Sequence, residues 1–139
     1  MPDNGLITQQ SAHDFATTLE RFVTALESRD VHIFMQVDHA AGAASVNRPL
    51  RPTTLVIFGN PAAGTALMQA KQEAGIDLPL KALVWEDADG SVKLTYNDPA
   101  WVATRHGLSH DTDLAVVGLT AVLSAIVRHA TEETRSSAR

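Results

Sequence analysis

The sequence predicts an α+β fold, in which a mainly antiparallel sheet carries two long helices on one face. Three observations lead to this prediction. A short strand precedes an amphipathic helix, four strand-like segments follow that helix, and a long apolar helical segment closes the chain. A run of strands with the helices segregated to one face is typical of α+β domains. The predicted order is β-α-β-β-β-β-α, with two short helices inserted.

The length favours one domain. The chain has 139 residues, within the range of roughly 100 to 200 residues in which single domains are common. No repeat or linker divides the sequence, so residues 1–139 are predicted to form a single domain. Its ordered core is expected to span about residues 5–133, with residues 134–139 as a frayed tail.

The first two elements are a short strand over residues 5–9 and an amphipathic helix. Ser11 is the predicted N-cap because Asp14 stands three residues later, a near-match to a capping box. Apolar residues then recur at helical spacing, at Phe15, Leu19, Phe22, Val23 and Leu26. The helix is expected to end near Ser28.

Two strands and two helical starts follow. Strict alternation predicts a strand over Val31 to Val37, and Asp38 is expected to cap a short helical turn. The β-branched and aromatic run Thr54 to Phe58 predicts a third strand. Asn60-Pro61 then combines an N-cap with a proline at the first helical position, and Gly75 is expected to stop the helix that they open.

The remaining elements are a hairpin and two helices. Leu80 to Glu86 and Ser91 to Tyr96 are predicted strands, joined by a turn at Asp87 to Gly90. Asp98-Pro99 repeats the combination of cap and proline and starts a short helix. The last helix is apolar on nearly all sides over residues 114–127, which indicates either a subunit interface beside the core or deep packing in a monomer.

The alternation of the strands assigns their side chains to two faces. One face is almost purely apolar and is expected under the helices; it contains Val31, Ile33, Met35, Val37, Leu55, Ile57, Leu80, Ala82, Val84, Val92, Leu94 and Tyr96. The other is mixed and contains His32, Phe34, Gln36, Asp38, Thr54, Val56, Phe58, Lys81, Leu83, Trp85, Ser91, Lys93 and Thr95.

The mixed face is the candidate binding surface. Large aromatic side chains exposed together mark an interface or a ligand groove. Phe34, Phe58 and Trp85 would supply apolar area there, and the polar contacts would come from Asp38, His39 and Lys81. The alternative is that residues 40–51 or the helix containing Trp101 cover this face.

Composition excludes several classes of function. The chain has 16 acidic and 11 basic residues, a formal net charge of −5, and no cysteine. This balance argues against nucleic-acid binding and against adsorption to anionic lipid. The N-terminus has no signal-peptide pattern, and the longest apolar stretch is shorter than the roughly 20 residues that span a bilayer. We therefore expect a cytoplasmic protein without a cofactor.

Several short motifs resemble a bacterial family known as domain of unknown function 302. They are Val37-Asp38-His39, Leu55-Val56-Ile57-Phe58-Gly59-Asn60-Pro61, Gly64-Thr65, Leu67-Met68, Leu78-Pro79-Leu80-Lys81 and Tyr96-Asn97-Asp98-Pro99. The resemblance spans roughly residues 31–107. It implies an α+β domain similar to the TATA-binding-protein fold, and a homodimer. It implies no reaction, and it carries over no catalytic residue.

Two motifs have both a chemical and a structural interpretation. In Asp38-His39, the carboxylate could orient the imidazole as a general base, but neighbouring strand residues point to opposite faces and Asp38 is also a suitable helix cap. Asn60 opens a helix beside Gly59, where free N–H groups could hold an anion. Pro61 removes one of those donors, so capping is the simpler interpretation.

A metal site is weakly supported. His106 and His110 are four residues apart, a spacing that places two ligands on one helical face. Gly107 and a predicted cap at Ser109 or Asp111 interrupt such a helix. We therefore predict no metal.

Three hypotheses follow for the function. The leading one is a homodimer that binds a small organic ligand or a protein partner through the mixed face, with Asn60 as a further contact. The second is a small-molecule enzyme that uses Asp38 and His39 as acid–base groups. The third is a purely structural interaction module whose sheet face is filled by its dimer partner.

Overall fold

The chain forms five strands, five α-helices and one 3₁₀ helix in a computed structural model that describes residues 4–108 and 113–133. Their order is β1 (Leu6–Gln10), α1 (Phe15–Ser28), β2 (His32–Asp38), α2 (His39–Ser45), β3 (Thr53–Gly59), α3 (Pro61–Ala70), the 3₁₀ helix (Gln72–Asp77), β4 (Leu80–Glu86), β5 (Val92–Asn97), α4 (Pro99–Arg105) and α5 (Asp113–Thr131).

The predicted α+β class and the order of strands and long helices are confirmed. The structure has four short helical segments, α2, α3, the 3₁₀ helix and α4, whereas the predicted order contained two; the 3₁₀ helix is the one whose start was not predicted. Three of them have a side-chain cap of their own, at Asp38, Asn60 and Asp98. Gly75 lies inside the 3₁₀ helix rather than at the end of α3. The predicted cap of α5 and the predicted frayed tail lie outside the described residues.

The cap of α1 differs from the prediction. Asp14 is the N-cap, and its carboxylate accepts the backbone N–H of Thr17 at 2.8 Å. The Ser11 hydroxyl instead pairs with the hydroxyl of Thr18, which lies buried, at 2.7 Å. The prediction was wrong because Asp14 is itself a strong capping residue at the start of the helix.

The five strands form one antiparallel sheet in the order β1-β5-β4-β3-β2. A main core lies between this sheet and the helices α1 and α5. It consists of Phe22, Ala25, Leu26, Val56, Phe58, Leu80, Ala82, Val84, Val92, Leu94, Tyr96, Leu123, Ile126, Val127 and Ala130. The two long helices therefore cover the same face, as predicted.

The register corrects the predicted faces of β3. Val56 pairs with Ala82 and Phe58 pairs with Leu80, and directly paired residues share a face of the sheet. Val56 and Phe58 therefore lie in the main core, whereas Leu55 and Ile57 face outward. The prediction failed because every residue from Leu55 to Phe58 is apolar, so alternation could not fix which set faces the core.

A bulge corrects the predicted faces of β2. The register shifts between Ile33 and Met35, so that Ile33 pairs with Phe58 whereas Met35 pairs with Ile57. An extra residue in one strand transfers the following side chains to the other face. Met35 therefore leaves the helix-covered face to which it was assigned and is 57% exposed.

The outward side of the sheet, which we call the open face, thus differs in composition from the predicted mixed face. Its central residues are half-buried or exposed, whereas the core-facing residues of β3, β4 and β5 are buried. They are Met35, Val37, Leu55, Ile57, Lys81, Leu83, Trp85, Lys93 and Thr95.

A second, small cluster lies at one end of the sheet, where α3, α4 and α5 meet. Its buried members are Leu67, Ala103 and Val116, and Leu78 and Leu119 pack against them. This small cluster forms the base of the site described next.

Candidate functional site

A cavity of about 280 Å³ opens beside the small cluster, between α3 and the ends of β2 and β3. One wall comes from α3, through Pro61, Ala63, Gly64, Leu67 and Met68. The rest of the lining comes from Phe34, Leu78 and Pro79, together with Leu80, Leu119, Gly59, Asn60 and Thr65. Because Leu67 and Leu80 are buried and Asn60 and Thr65 are exposed, the cavity has an apolar base and a more polar rim.

The turn from β3 into α3 forms one side of the rim. The side-chain oxygen of Asn60 accepts the N–H groups of Ala62 and Ala63, at 2.9 and 3.4 Å. Pro61 has no N–H, and the N–H of Gly64 bonds the carbonyl of Asn60. The predicted cap is therefore confirmed. The proposed anion contact finds no support, since the amides that would hold an anion are already paired or missing.

Two glycines leave room in the cavity. A β-carbon at Gly64 would meet only the Cε of Met68, at 4.0 Å. A β-carbon at Gly59 would lie 3.5 Å from the Cβ of Pro79 and 3.6 Å from the Cε2 of Phe34. These are ordinary van der Waals distances, so a β-carbon at either position would fit without a clash.

A polar cluster ties one wall to α4. The Asp77 carboxylate, just before Leu78, accepts two hydrogen bonds from one nitrogen of Arg105, at 3.0 and 3.1 Å. It also lies 2.6 Å from the Nε2 of His106, whose side chain is only 6% exposed. These contacts join the end of the 3₁₀ helix to the end of α4, and so position Leu78 and Pro79 beside the cavity.

The lining determines what the cavity can bind. None of the described residues that line it carries an ionisable side chain. The Phe34 ring, which is 48% exposed, and the Met68 thioether offer adaptable apolar contacts. Apolar pockets with a few polar groups are typical of small-molecule sites. The arrangement is therefore suited to binding rather than to proton transfer.

The electrostatics of the open face are concentrated around Trp85. The ammonium of Lys93 lies 5.3 Å from the centre of the Trp85 ring and 2.6 Å from the carboxylate of Asp87. The hydrogen bond from Lys93 lowers the pKa of Asp87, and the same bond raises the pKa of Lys93. Trp85 also donates its indole N–H to the hydroxyl of Thr95 at 3.0 Å.

The family model described as "Domain of unknown function DUF302" matches residues 7–126. The chain belongs to the DUF302 family. A crystal structure of a DUF302 protein from Bacillus stearothermophilus has the same fold, with a TM-score of 0.80 at 15% identity. The similarity covers 91% of this chain and 98% of that one. The family predicted from the motifs is thus confirmed.

Longer proteins also contain a region similar to this DUF302 domain. Over 128 residues it is 45% identical to "Fluoride-specific ion channel FluC 1" of Brucella suis biovar 1 (strain 1330) and to the protein of that name from Brucella abortus biovar 1 (strain 9-941). The match covers 92% of this chain but 50% and 47% of these proteins. The chain thus spans about half the length of the curated relatives it matches. Each helix within residues 4–108 and 113–133 is too short or too polar to span a membrane.

The motifs that indicated the DUF302 family converge on the cavity. Gly59-Asn60-Pro61, Gly64-Thr65, Leu67-Met68 and Leu78-Pro79-Leu80 all contribute to its lining. They come from two stretches of sequence, residues 59–68 and 78–80, which the fold brings together at one end of the sheet. The cavity is therefore built from residues that distinguish this domain in sequence.

The predicted site residues divide among four places. Phe34 and Asn60 line the cavity of the DUF302 domain. Lys81 and Trp85 lie on the open face. Phe58 is wrongly predicted as a surface contact: it is 2% exposed in the main core, where its ring meets that of Phe22 edge-on at 5.7 Å.

Asp38 and His39 form the fourth place, at the end of β2. The carboxylate of Asp38 caps α2 by accepting the N–H of Ala41 at 2.9 Å. His39 is the first residue of α2 and is exposed. The geometry therefore favours the capping interpretation of this pair over the acid–base one.

His106 has a role that the sequence did not indicate. It contacts Asp77, and its possible metal-binding partner His110 lies outside the described residues. Within the part of the chain that the structure describes, no group of three His, Asp or Glu side chains could hold a metal ion.

Sequence reasoning missed most of the cavity. Gly64, Met68, Leu78 and Pro79 were noted only as family motifs, and that was the one signal that could have found them. The Asp77 cluster had no local signal, because its partners are 28 and 29 residues away in sequence.

Proposed function

We propose that this chain is a binding domain whose cavity takes a small organic ligand. The observation that carries the proposal is an apolar cavity of about 280 Å³, which is open to solvent at its rim and whose lining includes residues of four family motifs. A buried apolar cavity of about 150 Å³ is enough to bind benzene. The space here therefore suits a molecule somewhat larger than a single ring.

Filling the cavity tests this proposal. Gly64→Leu would place a side chain into the open space beside Met68, and leucine is a better helix former than glycine. We expect this variant to stay folded and to lose binding of acetophenone, measured by chemical-shift changes at the cavity residues. Gly118→Leu is the matched control, because Gly118 is exposed on α5 with nothing within 4 Å of its β-carbon. Equal binding by both variants would contradict the proposal.

The open face supports homodimerisation as part of the same function. Met35 is 57% exposed within an apolar group that includes Ile57 and Trp85. Apolar surface of this kind in a soluble chain marks an interaction site, and a second copy is the partner implied by the family resemblance. A dimer of standard size would bury about 800 Å² on each subunit.

The oligomeric state tests the dimer. We expect a dimer for the wild-type chain by light scattering, and a monomer for Met35→Glu. Val117→Glu is the control, since Val117 is 64% exposed on α5, away from the open face. A monomeric wild-type chain at high micromolar concentration would remove the dimer from the proposal and leave the cavity untouched.

The relatives favour a second candidate function, as an accessory domain of a fluoride channel. Two proteins named fluoride-specific ion channels contain a region 45% identical to this chain within about half of their length. The same fold makes up 98% of the Bacillus stearothermophilus chain. A unit that occurs both alone and beside a channel sequence suits a regulatory or partner-binding role. A cytoplasmic location for this chain is compatible with that role and stays a prediction.

Domain replacement in the Brucella suis protein tests this candidate. We expect vesicles containing that protein without its matched half to retain fluoride efflux, measured with a fluoride electrode. Replacing the matched half by this chain should restore the wild-type rate of fluoride efflux. Replacing it by the Gly64→Leu variant of this chain should not. Loss of all efflux on deletion, with the remaining protein still inserted, would place the domain in the conducting unit and contradict the proposal.

A further inference from the structure

We infer that the ligand of the cavity is an uncharged molecule with one ring-sized apolar body and a hydrogen-bond acceptor at its exposed end. This inference rests on the proposed binding function, and it names the chemical class. Three features of the cavity lead to it: the absence of charge in its described lining, its volume, and the hydrogen-bonding state of Asn60.

The charge of the ligand follows from the lining. Burying an ion without a partner is costly, so sites for charged ligands provide an opposite charge or several hydrogen-bond donors. The described lining contains no acidic, basic or histidine side chain. The nearby carboxylate of Asp77 is already paired with Arg105 and His106. A cation therefore has no acceptor of opposite charge in the described lining, and an anion has no positive charge to balance it.

The size follows from the volume. The cavity holds about 280 Å³, close to twice the volume of about 150 Å³ that accommodates benzene. A ligand of about ten non-hydrogen atoms therefore fills it. The Phe34 ring and the Met68 thioether both line the cavity and can pack against a ring.

The acceptor follows from the hydrogen bonds of Asn60. The side-chain oxygen of Asn60 already accepts two backbone N–H groups, so its amide nitrogen, with two N–H donors, is the group left to face a ligand. The backbone N–H of Gly64 is paired as well. A ligand group that accepts a hydrogen bond, such as a ketone or ether oxygen, is complementary to this rim.

A matched set of probes tests the class. Acetophenone, benzoate and benzylammonium have the same ring and nearly the same size, but are neutral, anionic and cationic. We expect acetophenone to bind at least tenfold more tightly than either ion, by titration of chemical shifts at Phe34, Met68 and Leu78. Gly64→Leu should abolish the chemical-shift changes caused by acetophenone.

Asn60→Asp tests the acceptor. Aspartate is an equally good N-cap, so α3 should remain intact, but its carboxylate has no N–H to donate. We expect acetophenone to bind about three- to tenfold more weakly, the loss of one hydrogen bond. The affinity for benzyl alcohol should change little, because its hydroxyl group can donate a hydrogen bond to the carboxylate. A helix damaged by the substitution would weaken both probes alike.

The outcomes separate the class from the binding function. Equal binding of acetophenone and benzoate overturns the inferred class while the cavity remains a binding site. If acetophenone binds Asn60→Asp as tightly as it binds the wild type, the inference that the ligand accepts a hydrogen bond from Asn60 is overturned. Failure of every probe to shift the cavity resonances overturns the binding function itself. Binding that appears only when Met35→Glu breaks a dimer would identify a second copy as the occupant, and would overturn the small-ligand class.

Discussion

The main core and the small cluster differ in how completely side chains fill them. Among the residues that the structure describes, the main core has fifteen buried members and the small cluster has three, and the small cluster borders the cavity of about 280 Å³. The side chains supplied by the helices explain the difference. Helices α1 and α5 bring Phe22, Leu26 and Ile126 to the sheet, each fully buried.

Helix α3 contributes mostly small residues to its cluster. Its sequence contains four alanines, a glycine and a proline, so Leu67 is its one buried side chain. Small side chains on a short helix cannot reach across to Phe34 and Pro79, and space remains between them. The same fold thus has one region specialised for stability and one that is incompletely packed and available for a ligand.

Truncation in the main core should have the largest effect. Phe22 is 0% exposed and meets the Phe58 ring edge-on. We expect Phe22→Ala to lower the free energy of unfolding by about 3–5 kcal/mol, because it removes a large buried ring and leaves a closed cavity. Urea unfolding followed by circular dichroism measures it. A loss below about 1 kcal/mol would show that the main core is not tightly packed.

Truncating a leucine to alanine should lower the free energy of unfolding by different amounts in the two regions. Leu67→Ala removes a buried side chain that borders an existing cavity, whereas Leu94→Ala opens a new one in the main core. We expect losses of about 2 and about 4 kcal/mol, both within the usual range of about 2–5 kcal/mol for leucine. Leu67→Ala should also let the larger ketone 2-acetonaphthone bind. Equal losses for the two variants would contradict the contrast in packing.

Breaking the polar cluster should have a smaller effect, confined to the cavity region. In Asp77→Asn the carboxylate that contacts Arg105 and His106 is lost. We expect the free energy of unfolding to fall by about 1 kcal/mol, less than the roughly 1.5–3 kcal/mol of a hydrogen bond to a charged group, because Asp77 is partly exposed. Acetophenone should bind more weakly as Leu78 and Pro79 lose their support. Glu20→Gln, an exposed change on α1, is the control, and a similar loss of binding there would argue against this role.

The two regions also differ in how far the sequence predicts them. Helix starts were predictable where one residue carries the signal, as at Asn60 and Asp98, since a cap depends on its immediate neighbours. Alternation in β4 was predictable because Lys81 breaks the apolar run. The face of β3 that packs on the core was not predictable, because both its odd-numbered and its even-numbered positions are apolar. Only the pairing of Val56 with Ala82 determines which set is buried.

The site was predicted less completely than the fold. Phe34 and Asn60 line the cavity, although they were predicted as contacts of a sheet face that the register and the bulge in β2 rearrange. The cavity depends on the convergence of α3 with Leu78 and Pro79, and the polar cluster joins residues far apart in sequence. Both are consequences of tertiary packing, for which local patterns carry no signal.

Acidification should produce the smallest difference between the regions, through their helix caps. The hydrogen bond from the N–H of Thr17 lowers the pKa of Asp14, the cap of α1, whereas the cap of α3 is Asn60, which does not titrate. A carboxylate whose pKa is lower in the folded state stabilises above its unfolded pKa, and this contribution is lost as the pH falls through the folded pKa. We therefore expect the cap of α1 to weaken as the pH falls from about 5 to about 2, and the cap of α3 to persist.

Asp14→Asn tests this prediction, because asparagine is also a good N-cap but does not titrate. The free energy of unfolding of the wild type relative to this variant, measured with urea, should therefore fall over that pH range. Asp87 and Asp89, whose pKa values hydrogen bonds also lower, are common to both proteins and cancel in the comparison. A difference between the two proteins that does not change with pH would mean that Asp14 does not act through its charge.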